Sequence, residues 1–316
     1  MSKTYIIGHL KPDTDSAVAA MALEYLYSQK DCFGYSQPQA VITGHLSPET
    51  SYLFEKFKVL TPPLLTAAEI GADDQVVLVD HNEESQRLIG LNEAQIVEIV
   101  DHHKVNLNLS TPLFLNFKTW GSTTTIIYFF MKEYSVTPDK KLAGLMLAAI
   151  LSDTVGFKSA TTTQKDKKFG QELAQIAGIT DINAFALEIF RAGSDFSTLS
   201  DEEIVQNDFK IYEFAKKTCI SQLETVEQEV LLANKKDRLL AAMTNVKAQL
   251  GVELFFVAVT DVLKVNTKLL LDGEKEMIIA ERAFGGSAVD YVLDIGSKMS
   301  RKKEIAPAIE EVLKND

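Results

Sequence analysis

Short β-branched runs alternate with segments of helical apolar spacing, and this alternation constrains the fold more than any other feature of the chain. Residues 4–7, 40–42, 76–79, 96–100 and 113–117 read as buried strands. Residues 16–27, 123–134, 140–152, 164–176 and 182–191 read as helices. Such a sequence of elements implies βαβ units: an α/β fold with a mostly parallel sheet flanked by helices. Over residues 192–200 the pattern breaks into Ala-Gly-Ser-Asp-Phe-Ser-Thr-Leu-Ser, which is expected to be a linker. Beyond it, residues 211–214, 219–226, 254–259, 267–271 and 277–280 read as strands. A long helix is expected over 229–249 and a last one over 303–313. The second part is therefore expected to be a smaller α+β domain with a mixed sheet. The expected organisation is a first domain over 1–191, the linker, and a second domain over 201–316.

A chain of 316 residues can bury two such cores. Its net charge of −12 repels a phosphate backbone, so general nucleic-acid binding is disfavoured. Cys32 and Cys219 lie far apart and outside any CxxC spacing, so they read as small buried apolar residues. The start, Met-Ser-Lys-Thr-Tyr-Ile-Ile-Gly-His, has no signal-peptide pattern, and the longest apolar run, residues 142–151, is too short to span a bilayer. A cytoplasmic protein without a membrane partner is expected.

The chemistry collects at the ends of predicted strands. All five histidines, His9, His45, His81, His102 and His103, precede residue 104. The first strand leads into Gly8-His9-Leu10-Lys11-Pro12-Asp13-Thr14-Asp15-Ser16, the third into Asp80-His81-Asn82, and the fourth into Asp101-His102-His103. In open parallel sheets ligands bind beyond the carboxyl ends of the strands, so these clusters are expected to face one crevice. Asp153, closing an apolar helix in Ser152-Asp153-Thr154, is a candidate further carboxylate. Taken alone, each aspartate has a plainer reading: Asp15 would be a helix N-cap. Taken together, packing has no need of so many acids in one place, and buried unpaired carboxylates are costly. Divalent cations would neutralise them. Gly44-His45-Leu46-Ser47-Pro48-Glu49-Thr50-Ser51 echoes the first cluster but loses both aspartates, so His45 is left out of the site. Gly121-Ser122-Thr123-Thr124-Thr125 opens a helix, where free N–H groups suit an anion or simple capping. No catalytic role is assigned to it.

Gly-His-x-x-Pro-Asp-x-Asp-Ser, Asp-His-Asn and Asp-His-His resemble the DHH phosphoesterase superfamily. With Ser300-Arg301-Lys302-Lys303, the pattern is similar to the manganese-dependent family II inorganic pyrophosphatases along nearly the whole chain, with a DHH domain first and a DHHA2 domain second. The resemblance implies that His9 and Asp13 bind one metal, that Asp15, His102 and Asp153 bind another, and that Asp80 bridges both. It implies phosphate contacts for His103, Lys210, Arg301 and Lys302, and a homodimer formed through the first domain's sheet. Lys11 and Glu304 depart from the family, which usually has asparagine and glutamine there; neither departure removes a ligand.

The residue chemistry fits that assignment. Imidazole ligands favour Mn²⁺, with Co²⁺ as a substitute, over Mg²⁺, while further Mg²⁺ could arrive with substrate. Two ions per subunit, about 3.5–4 Å apart, can share and acidify a water for in-line attack on pyrophosphate. No covalent phosphoenzyme is then expected. Lys210, Arg301 and Lys302 would offset the charge of pyrophosphate, Arg by bidentate contacts and Lys as a point charge. Because they fall in the second domain, substrate is expected to draw the domains together. Asp101, His81 and Asn82 are candidates for orienting ligands by hydrogen bonds. The alternatives are an exopolyphosphatase of the same type, a DHH nuclease or cyclic-dinucleotide phosphodiesterase, and a non-enzymatic metal- or phosphate-binding module. The second is disfavoured because Gly285-Gly286-Ser287 lacks the histidine of a Gly-Gly-Gly-His motif.

Overall fold

The computed structural model describes residues 2–30, 33–194, 196 and 199–315. The chain divides into two compact units, Met1–Gly193 and Ser194–Asp316. Cys32 and, within the expected linker, Asp195, Ser197 and Thr198 lie outside the described residues.

In the first unit, strands β1 (Thr4–Ile7), β2 (Pro38–Val41), β3 (Gln75–Val79), β4 (Ile96–Asp101) and β5 (Phe114–Phe117) form one sheet in the order β2-β1-β3-β4-β5. Every neighbouring pair is parallel. The register sets Ile7 opposite Leu78 and Val79 opposite Val100, so the carboxyl ends of the three middle strands lie level. The strand order reverses between β1 and β3, and the connections leaving those two strands diverge there and open a crevice. Helices α1 (Thr14–Gln29), α2 (Pro48–Phe57), α3 (Thr123–Glu133), α4 (Lys140–Asp153), α5 (Gln164–Ala177) and α6 (Ile182–Gly193) complete the unit. The apolar run of 142–151 is explained by α4, which is buried at every one of those positions. A helix that is apolar all round must be enclosed.

The first loop turns tightly over the start of α1. A Cβ on Gly8 would meet Ser16 Oγ at 2.0 Å, and that oxygen accepts a hydrogen bond from the His9 backbone N–H. The helix begins at Thr14, with Asp13 as its N-cap accepting from the Ser16 N–H at 2.9 Å. The N-cap expected at Asp15 is thus corrected to Asp13, and Asp15 falls inside the first turn, fully buried.

The second unit is an α+β domain. It contains α7 (Asp201–Val205), β6 (Lys210–Glu213), β7 (Lys217–Thr225), α8 (Gln228–Leu250), β8 (Leu254–Asp261), β9 (Asn266–Leu271), α9 (Glu274–Phe284), β10 (Val292–Asp294) and α10 (Ala306–Lys314). Its sheet, ordered β10-β9-β8-β7-β6, is mixed: β7 and β8 run parallel and the other pairs antiparallel. Strand β8 is buried on both faces. Phe255, Val257 and Val259 enter the core shared with α8, while Leu254, Phe256 and Ala258 enter the one shared with α9 and α10. This is the two-residue period of a strand between two layers. Cys219 is buried and free. The strand expected over 277–280 is instead part of α9. Its buried positions, Glu276, Ile279 and Ala280, follow helical spacing, while Ile278 is exposed. A four-residue apolar run does not reveal its period, and the Glu, Lys and Arg residues around it are good helix formers. Among the described residues no single helix is long and apolar enough to cross a membrane.

Candidate metal centre

Five strand and helix ends bring six side chains to the crevice. His9 and Asp13 come from the loop after β1, Asp15 from the first turn of α1, Asp80 and His102 from just beyond or at the ends of β3 and β4, and Asp153 from the last turn of α4. Ligand atoms of His9, Asp13 and Asp80 lie within 4.8 Å of one another, and so do those of Asp15, Asp80, His102 and Asp153. Asp80 belongs to both groups and turns a different oxygen to each. Its Oδ2 lies 3.5 Å from His9 Nε2 and its Oδ1 lies 3.4 Å from His102 Nε2. His9 Nε2 is also 3.4 Å from Asp13 Oδ2, and His102 Nε2 is 3.4 Å from Asp153 Oδ2. These separations exceed the about 2.7–2.9 Å of charge-assisted hydrogen bonds. The Asp80 backbone is left-handed, with φ at +61°, an uncommon conformation for a non-glycine residue and one that turns the chain sharply at the strand end.

The electrostatics are those of carboxylates crowded together in a buried site. Burial and the neighbouring Asp80 charge raise Asp15 to about 6. Burial and the charges of Asp15, Asp80 and Asp13 push Asp153 well above the carboxylate range. Burial also works against an ionised Asp80, but the neighbouring His102 and His9 imidazoles outweigh it and hold Asp80 low. Burial opposes protonation of His9 and His102 as well. Asp13 and Asp80 nevertheless raise His9 to about 10, and Asp80 and Asp15 raise His102 to about 9. Two positive ions would relieve this crowding of acids.

The donor set fits such ions. His102 Nδ1 lies 3.0 Å from the Trp120 carbonyl, which can only accept, so Nδ1 keeps its proton and Nε2 is the nitrogen that would meet an ion. That Nε2 is buried and has no hydrogen-bond partner among the described residues. His81 is held the same way by the Val79 carbonyl at 2.9 Å, and burial lowers it to about 4. A cavity of about 950 Å³ opens over the cluster, with His9, Asp80, His102, Trp120 and Thr161 in its walls.

A further layer fixes the ligands. Ser122 Oγ and the Thr124 N–H donate to Asp15 Oδ1 at 2.7 and 3.0 Å, and the Thr123 N–H donates to Oδ2 at 2.6 Å. The anion at the start of α3 is therefore a carboxylate of the chain itself. Thr123 Oγ1 donates to Asp80 Oδ1 at 2.9 Å. Sequence reasoning missed Ser122, Thr123, Thr124 and Trp120 as ligand-orienting residues. The helix-opening run of small polar residues was the available signal for the first three; a backbone carbonyl leaves none. Asp101 accepts from Asn82 Nδ2 at 2.6 Å and from the His103 N–H at 3.0 Å, and its Oδ1 lies 2.9 Å from His103 Nδ1. That contact raises His103. His103 is half exposed, with Nδ1 3.8 Å from Asp80 Oδ1. His45 is exposed and outside these groups, and its neighbour Glu49 accepts from Thr14 Oγ1 and Ser152 Oγ, each at 2.6 Å.

The remaining candidates, Lys210, Arg301 and Lys302, belong to the second unit. Lys210 and Lys302 are exposed. Arg301 donates through Nη2 to Asp208 Oδ1 at 3.0 Å, while its Nε and Nη1 are buried and have no hydrogen-bond partner among the described residues. The segment is held from below: Gln222 Oε1 accepts from the Arg301 N–H at 3.3 Å, and Glu304 Oε2 accepts from the Met299 and Ser300 N–H groups, each at 3.0 Å.

Residues 3–150 match the DHH family, N-terminal domain, and residues 187–312 match the DHHA2 domain. A manganese-dependent inorganic pyrophosphatase of Methanocaldococcus jannaschii is 37% identical over 97% of this chain and 98% of its own length. Another, from Methanothrix thermoacetophila, is 36% identical over 98% of both. A crystal structure from Methanococcus jannaschii, described as a candidate family II inorganic pyrophosphatase, is 35% identical with a TM-score of 0.63, covering 98% of this chain and 99% of that one. An exopolyphosphatase-related protein from Bacteroides fragilis, 16% identical with a TM-score of 0.50 over 99% of this chain and 92% of its own, shares the fold.

Proposed function

The chain belongs to the manganese-dependent inorganic pyrophosphatases of the DHH family, with a DHHA2 domain in its second half, and on that premise we propose that it hydrolyses pyrophosphate to two phosphates at the six-residue centre. The observation that carries this is that the ligand atoms gather in overlapping groups that all contain Asp80, one with His9 and Asp13, another with Asp15, His102 and Asp153, and a third with His102 and His103. His9 and Asp13 would hold one Mn²⁺, Asp15, His102 and Asp153 a second, and Asp80 both. Co²⁺ is expected to substitute, and Mg²⁺ to accompany the substrate. When bound, such a pair supplies an acidified water for in-line attack on one phosphorus and neutralises charge on the phosphate oxygens.

The chain's own residues prepare that chemistry. The Trp120 carbonyl points the lone pair of His102 Nε2 into the cavity, and the start of α3 keeps both oxygens of Asp15 in place. His103, steadied by Asp101, would donate to a substrate phosphate oxygen. Lys210, Arg301 and Lys302 would bind phosphate oxygens, and the two buried unpartnered nitrogens of Arg301 support an anion there. The mechanism uses no serine or cysteine nucleophile, so no phosphorylated residue should be trapped during turnover.

A homodimer through the first unit's sheet is supported by β5, an edge strand with Phe114 and Leu115 exposed. A cytoplasmic location suits a chain whose two cysteines have no pairing spacing. Phosphate release from pyrophosphate, tripolyphosphate and a dinucleotide, with Mn²⁺ and with a chelator, tests the activity. Rapid release from pyrophosphate that is lost with chelator and restored by Mn²⁺ is expected. Metal-independent release, or preference for either other substrate, would overturn the assignment.

A further inference from the structure

Asp166 lies in the first turn of α5, contributes no ligand atom to either group, and is fully buried. Part of its role is ordinary. Its Oδ2 accepts from the Thr163 N–H at 2.7 Å and from Thr163 Oγ1 at 2.6 Å, forming a capping box. Among the described residues two other carboxylates have that role, Glu69 and Glu203, and both make their bonds at exposed positions. Asp166 does more. Its Oδ1 accepts from Thr125 Oγ1 at 2.6 Å, and both oxygens accept from the Gly121 N–H, at 3.1 and 3.0 Å. A capping box needs neither contact, and burying a carboxylate is costly unless its bonds are made.

Residues 120–124 are the segment that holds Asp15, Asp80 and His102. One side of this segment carries the Trp120 carbonyl, Ser122 Oγ, Thr123 Oγ1 and the Thr123 and Thr124 N–H groups. The other side rests on Asp166. The approach is close: a Cβ on Gly121 would lie 2.6 Å from Thr154 Cγ2 and 3.0 Å from Asp166 Oδ2. Among the described residues, the segment's hydrogen bonds reach Asp15, Asp80 and His102 but neither His9 nor Asp13.

We propose that Asp166 is a positioning residue which, by clamping residues 121–125 from behind, sets the geometry of the Asp15/His102/Asp153 metal site and leaves the His9/Asp13 site largely alone. This rests on the metal-centre reading above. Loss of a partner behind a metal ligand typically costs about 10–100-fold in affinity.

The test is Mn²⁺ titration of the whole protein by electron paramagnetic resonance, with the fluorescence of Trp120, the chain's single tryptophan, as a second signal. Asp153→Ala and Asp13→Ala assign the two affinities. Asp166→Asn keeps the side-chain shape but exchanges an acceptor for a donor, and Thr125→Val removes one contact while sparing the capping box. Each is expected to weaken the Asp153-dependent affinity, about 10–100-fold for Asp166→Asn, and to change the Asp13-dependent one less than about threefold. Equal weakening of both sites, or no change in either, overturns the proposal. Wild-type protein that binds no Mn²⁺ would instead overturn the metal centre itself, and the clamp with it.

Discussion

Asp80→Ala probes the one side chain shared by both ligand groups. Its two oxygens face His9 and His102 at 3.5 and 3.4 Å, so the substitution removes a charge from each group at once. A pair of unit charges about 4 Å apart in an effective dielectric near 20 is worth about 4 kcal/mol, and a divalent ion doubles that. Water entering the cavity offsets part of the loss. A net cost of at least about 4 kcal/mol per ion should remain, or about a thousandfold in each dissociation constant. The metal-free protein should respond in the opposite sense. The Asp80 charge is one cause of the raised Asp15 and Asp153, so both should become more acidic in the variant. Isothermal titration calorimetry with Mn²⁺ reads the affinities directly. A loss confined to one ion, or below about tenfold in both, would refute the bridging role and the reasoning that derives it.

Other consequences follow from the same geometry. Lys302→Ala removes an exposed cation of the second unit, so the KM for pyrophosphate should rise by about tenfold or more while Mn²⁺ affinity stays unchanged; steady-state kinetics beside a metal titration decide it. His9 and His102, at about 10 and 9, are protonated at neutral pH in the metal-free chain, so Mn²⁺ must displace both protons. With one of these histidines in each site, the affinity for each ion should therefore rise by about one decade per pH unit between pH 7 and 9, with proton release seen calorimetrically in buffers of different ionisation enthalpy; a flat profile would contradict this. Both histidines titrate higher folded than unfolded, so their contribution to stability is complete below about pH 6.5 and is lost as pH climbs through 9 and 10. The Tm of the metal-free protein should fall over that range. Leu115→Lys places a charge on the exposed β5 edge and should shift sedimentation from dimer to monomer.

Much of the first unit was legible because its chemistry sits where its strands stop. β1, β3 and β4 are short β-branched runs, and each is followed at once by histidine and aspartate, so a parallel sheet and a shared crevice could both be read from local pattern. What escaped is non-local or backbone-borne. Asp15 sits 107 residues from Ser122, and Asp166 sits 45 residues from Gly121. Nothing in the spacing of hydroxyl residues announces such pairings. The Trp120 carbonyl that sets the tautomer of His102 has no side-chain signature at all. Asp13 takes the cap from Asp15 because Pro12 and the Gly8 turn start the helix two residues earlier than the apolar pattern suggests. Helix α2 is hidden in the sequence because Gly44–Ser51 reads as an echo of the first cluster, although Ser47 followed by Pro48 is a helix-start signal and Ser47 does accept from the Thr50 N–H. In the second unit, Met277–Ala280 was too short to separate strand from helix.

The central claim is that two cations share Asp80 between two sets of ligands. Anomalous diffraction at the manganese edge, from crystals grown with Mn²⁺, tests it most directly. The account predicts two peaks in each chain, one among His9, Asp13 and Asp80 and the other among Asp15, Asp80, His102 and Asp153. Manganese bound elsewhere, or a single peak that Asp80 does not touch, would contradict it.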